Sequence, residues 1–148
     1  MSSFEPSFQV TDLGSPLAVP GTLVICDGGA AAFVGIDQGQ KFLAKFVASS
    51  GFELYHPGPE QLAFVEDVII RPSFKSFTEN VPLAPGASQL FVDGGERFIV
   101  VSPQNGSVRL LSIVSGQLSR SSTSKKSAFA SWAIGAVSRG QFLPILEV

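Results

Sequence analysis

With 148 residues, 45% of them hydrophobic, the chain can bury one core or two small cores sharing an interface, and it is too apolar for a disordered segment. A single cysteine, Cys26, excludes an intramolecular disulfide framework and a cysteine-rich zinc site, and a single histidine, His56, excludes a multi-histidine metal centre. The formal net charge is only −2 but is unevenly spread: residues 1–80 hold nine acids and four bases, residues 81–148 three acids and six bases.

Residues 1–14 carry little pattern and read as an N-terminal arm. Met1 to Pro6 shows neither the basic start nor the apolar run of a secretion signal, and no stretch has the length of a membrane span, so a cytoplasmic protein without membrane contact is expected. From Thr22 onward short apolar runs rich in Val, Ile and Phe alternate with Gly, Pro, Asn and Asp, the pattern of many short strands. The runs predict strands over Thr22 to Cys26, Ala31 to Ile36, Lys41 to Ala48, Phe52 to Tyr55 and Asp67 to Arg71. Asp27-Gly28-Gly29 reads as a tight turn, because these residues accept positive φ and no helix follows to take an anion. Pro57-Gly58-Pro59 interrupts regular structure, and Glu60 to Glu66 reads as a turn or helical loop.

Residues 72–88, with Pro72, Pro82, Pro85 and Gly86, read as a connection, after which the pattern starts again. Ser15-Pro16-Leu17-Ala18-Val19-Pro20-Gly21 is echoed by Val81-Pro82-Leu83-Ala84-Pro85-Gly86, and Asp27-Gly28-Gly29 by Asp93-Gly94-Gly95. Strands are predicted over Gln89 to Val92, Arg97 to Val101, Val108 to Val114, Ala133 to Val137 and Phe142 to Leu146. The expected fold is therefore all-β, with two sequence-related units packed as one body: an arm over 1–14, a first unit over 15–77 and a second over 78–148. Segments 21–71 and 86–139 should match strand for strand.

The stretch Leu118 to Ser127 holds Arg120, Lys125 and Lys126 among hydroxyl side chains and contains no acid. It reads as a solvated loop, or as an anion or nucleic-acid contact in which the bases meet phosphate oxygens. No cofactor or metal site is expected: His56 has no carboxylate cluster around it, and the neighbours Glu66 and Asp67 point to opposite faces if they lie on a strand.

The first unit also resembles a known family. Gly21-Thr22-Leu23-Val24-Ile25-Cys26-Asp27, Phe33-Val34-Gly35-Ile36-Asp37, Phe42-Leu43-Ala44-Lys45-Phe46, Phe52-Glu53-Leu54-Tyr55-His56-Pro57 and Val68-Ile69-Ile70 look like the C-terminal β-domain of LexA, UmuD and related phage repressors. That resemblance implies a serine nucleophile activated by a buried lysine. Lys45 matches the lysine's strand position, and Ser15 in Gly14-Ser15-Pro16-Leu17 is the corresponding serine, without the acid and methionine of the family's Gly-Asp-Ser-Met motif. Apolar neighbours would lower the lysine pKa and let its neutral amine accept the serine proton. In the second unit Ser112 stands in the place of Lys45. The resemblance also implies a phage-related protein, virion-associated if phage-encoded.

Low charge, thirteen phenylalanines and many strand edges point to a non-enzymatic protein that binds a protein partner or itself. The alternatives are a LexA-like regulator with a degenerate or active Ser15/Lys45 dyad, and a nucleic-acid-associated module using Arg120, Lys125 and Lys126.

Overall fold

A computed structural model describes residues 9–11, 13–56, 58–102, 108–119 and 125–148. The described chain is all-β, as its runs of Val, Ile and Phe between turn residues predict. Its strands are β1 (Gln9–Thr11), β2 (Leu23–Cys26), β3 (Ala31–Asp37), β4 (Gln40–Val47), β5 (Gly51–Tyr55), β6 (Glu60–Val65) and β7 (Val68–Pro72). After a 3-10 turn at Phe74–Ser76 come β8 (Phe77–Val81), β9 (Leu90–Asp93), β10 (Glu96–Ser102), β11 (Arg109–Ser112), β12 (Lys126–Phe129), β13 (Trp132–Ser138) and β14 (Gln141–Glu147).

Eleven strands form one sheet in the order β1-β6-β2-β3-β4-β5-β10-β9-β12-β8, with β11 branching from β10; β14-β13-β7 form a second, smaller sheet. The meander β2-β3-β4 and the meander β9-β10-β11 have the same antiparallel order. β6 lies beside β2 and β12 beside β9, while β1 and β8 cap β6 and β12 at the two ends of the sheet. The two stretches are stitched together reciprocally. β5 runs parallel to β10, with Glu53 beside Ser102, and Gln117 runs parallel to Ile36 of β3. In the small sheet Ile70 lies opposite Ile134, flanked by Val68 opposite Ala136 and Pro72 opposite Trp132.

Asp27-Gly28-Gly29 joins β2 to β3 and Asp93-Gly94-Gly95 joins β9 to β10. The first belongs to a longer loop, because Ile25 already pairs with Ala31; the second is a two-residue hairpin in which Asp93 pairs with Glu96. Several elements differ from the expectations above. Glu60 to Val65 is a strand, not a turn or helical loop: β6 lies between β1 and β2, and its neighbours Leu62 and Ala63 are both fully buried, one in each of two different core clusters. Burial on both faces removes the alternation that marks a half-exposed strand. The connection 72–88 contains β8, and the boundary drawn between residues 77 and 78 falls inside it. The arm contributes β1, while residues 1–8 lie outside the described chain.

Apolar side chains collect in three clusters. The largest takes Leu23, Phe33, Phe42, Phe52 and Val65 from the N-terminal stretch, Leu90, Ile99, Val101, Leu111 and Phe129 from the C-terminal one, and Trp132 and Ile134 from the small sheet. Two outer clusters cover the opposite faces: Val24, Cys26, Ala32, Val34, Leu43 and Leu62 under Leu13 and Ala18, and Phe91, Val100, Leu110 and Ala128 packed by Leu83 and Ala87. Sheet residues therefore point alternately into the shared core and outward beneath an arm.

Among the described residues one ion pair crosses between the N-terminal and C-terminal stretches. The Arg109 guanidinium grips both Asp37 carboxylate oxygens, at 2.8 and 3.1 Å, and its Nε donates to the Ser119 carbonyl at 2.6 Å. These hydrogen bonds and the guanidinium charge hold the Asp37 carboxyl below its ordinary range, against a smaller opposing effect of burial. A carboxyl depressed in the folded state stabilises above its unfolded value, about pH 4, and that contribution is lost as pH falls through the folded value. Asp37→Ala should cost about 2 kcal/mol at neutral pH and flatten this part of the acid limb in urea titrations. Equal acid slopes for both proteins would contradict the assignment.

Candidate functional site

Lys45 lies on the outer face of the N-terminal meander. Its cross-strand partner Ala32 belongs to the outer cluster, and residues directly opposite one another share a face. The lysine Nζ stands 4.9 Å from the centre of the Tyr55 ring, and the Tyr55 hydroxyl donates to Glu60 Oε2 at 3.1 Å. That hydrogen bond is the main cause of a raised Tyr55 pKa. Cys26 is 1% exposed on the same face; burial, helped by the Glu60 charge, pushes its thiol up, while Lys45 opposes. A buried thiol with a raised pKa is not a nucleophile at neutral pH.

Ser15 sits in the arm whose Leu13 and Ala18 pack over this face. Its Oγ accepts from the Leu17 N–H at 3.2 Å and its carbonyl from the Ala18 N–H at 3.0 Å, so it shapes the arm's turn. The fold thus brings the serine's segment and Lys45 to one side of one sheet. Among the described residues no hydrogen bond joins the two side chains, and the lysine is engaged by an aromatic ring. Ser112 lies opposite Phe98 as Lys45 lies opposite Ala32; its Oγ is buried and accepts from the Val114 and Ser115 N–H groups.

The basic stretch is divided. Lys126 belongs to β12, where its Nζ pairs with Asp93 at 2.9 Å and only 18% of its side chain is exposed. It is a strand residue with a partner, not a loop cation. Lys125 is exposed just before the strand, and Arg120 lies outside the described residues.

The richest surface lies along β8, where sequence reasoning expected only a connection. β8 is the last strand of the large sheet, and its outer edge has no partner among the described residues. The Ser76 carbonyl accepts from the Ala130 N–H, so alternation turns the N–H and C=O groups of Phe77 away from β12 and those of Thr78 toward it; the Glu79 N–H, in one planar peptide with the Thr78 carbonyl, points away as well, just before a register shift between Thr78 and Val81. On one face Phe77, 44% exposed, and Phe74, 79% exposed, both contact Phe129, with ring centres 5.2 and 5.6 Å away. On the other, Thr78, Asn80, Val81, Pro82, Gln89, Ala128 and Ala130 line a groove of about 330 Å³. It is continuous with a broader depression of about 510 Å³ along Val81 to Gln89. The arm holding Pro82 and Pro85 walls this side, and the Trp132 indole N–H, donating to the Ser88 carbonyl at 2.8 Å, ties the arm's end down. The two phenylalanines three residues apart were the available signal, but alternation assigns neither to a face without the register of β8.

Among the described residues no group of three or more His, Cys, Asp or Glu side chains could hold a metal ion, and no helix is long and apolar enough to cross a membrane. Comparison with protein families, curated proteins and solved structures finds no match to this chain.

Proposed function

We propose that this is a non-enzymatic assembly protein, built from two copies of one β unit, which holds an extended segment of a partner protein along β8. The observation that carries the reading is the combination at β8 of an open edge, exposed phenylalanines on one face and a groove on the other. An added strand would bond to the outward groups of Phe77 and Glu79, and its side chains would alternate between the aromatic pair and the groove. Backbone bonding then supplies affinity and the two faces supply specificity. Support for two copies comes from the matching meanders, the reciprocal parallel contacts and Ile70 lying opposite Ile134.

Selection of displayed random peptides on the immobilised chain tests the binding. Extended binders with an apolar residue at alternate positions are expected. Glu79→Pro, which removes an outward N–H without touching the β12 ladder, should weaken them about tenfold, and Phe74→Ser with Phe77→Ser by at least as much. Binders indifferent to all three changes would refute the site.

A LexA/UmuD-like regulator is the second reading, favoured by one observation: the Ser15 segment packs over the face that carries Lys45. Self-cleavage lost in Lys45→Ala would establish it in place of the first.

A further inference from the structure

We infer that β7 is a self-association edge, pairing antiparallel with β7 of a second copy so that the small sheet continues across a twofold axis. The inference is independent of the β8 reading. The Ser73 N–H donates to the Ser131 carbonyl, and Trp132 exchanges both its backbone bonds with Val148. Alternation from these anchors points the backbone groups of Ile69 and Arg71 at β13 and those of Val68, Ile70 and Pro72 away from it. No described strand occupies that outer side. It offers the N–H groups of Val68 and Ile70 and the carbonyls of all three residues, since proline has no N–H.

The edge is only partly protected. Natural edges are blunted by a charged side chain, a proline, a bulge or a covering loop; β7 carries Arg71 and, at its end, Pro72, and among the described residues it has no bulge and no cover. Here the one cation on β7, Arg71, is folded over the Phe142 ring, 4.0 Å from its centre. The adjoining outer face presents Ile69, 39% exposed, and Val137, 41% exposed.

The sequence is self-complementary in one register. With Ile70 opposite Ile70 of the second copy, each Ile70 N–H meets the other's carbonyl and each Val68 N–H meets a Pro72 carbonyl. The missing proline N–H leaves only the Val68 carbonyl unpaired. In that register Arg71 faces Ile69 of the second copy, so the two guanidinium groups do not oppose each other. The chain already uses a related arrangement internally, with Ile70 opposite Ile134 between Val68 and Pro72. A foreign strand would have to supply this match; a second copy contains it. Closed twofold pairing is also the commonest mode of self-association.

Sedimentation equilibrium of the full chain tests the proposal with two substitutions at exposed Ile69. A dimer is expected for the wild type. Ile69→Lys sets a cation opposite Arg71 of the second copy, whereas Ile69→Glu sets an anion there, so the lysine variant should dimerise about tenfold more weakly than the glutamate variant. Circular dichroism of each variant checks that the fold is kept. A wild type that stays monomeric, even if a foreign peptide protects the β7 amides, would overturn the proposal. So would equal dimerisation of the two variants.

Discussion

Phe52→Ala should cost about 3–5 kcal/mol of stability, the range for truncating a fully buried aromatic side chain. Phe52 is 0% exposed and lies on β5, the strand that carries the N-terminal meander onto β10. Its ring stands 5.2 Å from Phe46 and 6.2 Å from Phe33, and stacks on Trp132 at 6.1 Å. Truncation opens a cavity where the two stretches and the small sheet meet. Phe74→Ala, at a residue 79% exposed, should stay within about 0.5 kcal/mol. Urea denaturation of both variants checks the contrast, and a loss below about 1 kcal/mol at Phe52 would show that the shared core does not hold the molecule together.

Gly51→Ala and Gly116→Ala should each cost about 3 kcal/mol, because each glycine combines a left-handed backbone with a close approach between the two stretches. Gly116 has φ +76°, and an added Cβ would meet Pro20 and come 2.5 Å from the Gly21 nitrogen. Gly51 has φ +74°, and a Cβ there would come 2.6 Å from the Gly86 carbonyl oxygen. The contacts are reciprocal: the Pro20-Gly21 arm of the first stretch meets the turn at Gly116, and the Pro85-Gly86 arm of the second meets the turn at Gly51. Gly140 has a similar φ, +73°, and open space around it, so Gly140→Ala should cost only about 1 kcal/mol. The difference between these unfolding energies isolates the backbone contact from the strain. Equal losses at all three positions would remove it.

The strands visible from the sequence are those whose apolar runs are bounded by glycine or proline. β2, β3, β4 and β5, and β9, β10 and β11 after them, fall within a residue or two of the predicted bounds. β6 was hidden because Leu62 and Ala63 are buried on opposite faces, and β8 for the converse reason: Phe77 to Glu79 are all exposed and no alternation survives. β12 was read as part of a basic loop because its lysine is stabilised by Asp93, a strand away in space and 33 positions away in sequence. The parallel contacts of β5 with β10 and of Gln117 with Ile36 follow from how the stretches interlock, and no local pattern encodes them. The positions of Ser15 and Lys45 could be named from the family resemblance, but the Tyr55 ring beneath the lysine depends on register. The β8 strip had two legible ingredients, its phenylalanines and the proline-bounded arm. Its open edge is a property of topology alone.

Residue-resolved hydrogen exchange tests the binding reading most directly, because it reports the two outward amides that an added strand must cover. On addition of a selected peptide, exchange at Phe77 and Glu79 should slow by about tenfold or more, while amides already bonded within the sheet change little. Unchanged exchange at both residues in a saturated complex would contradict strand addition at β8.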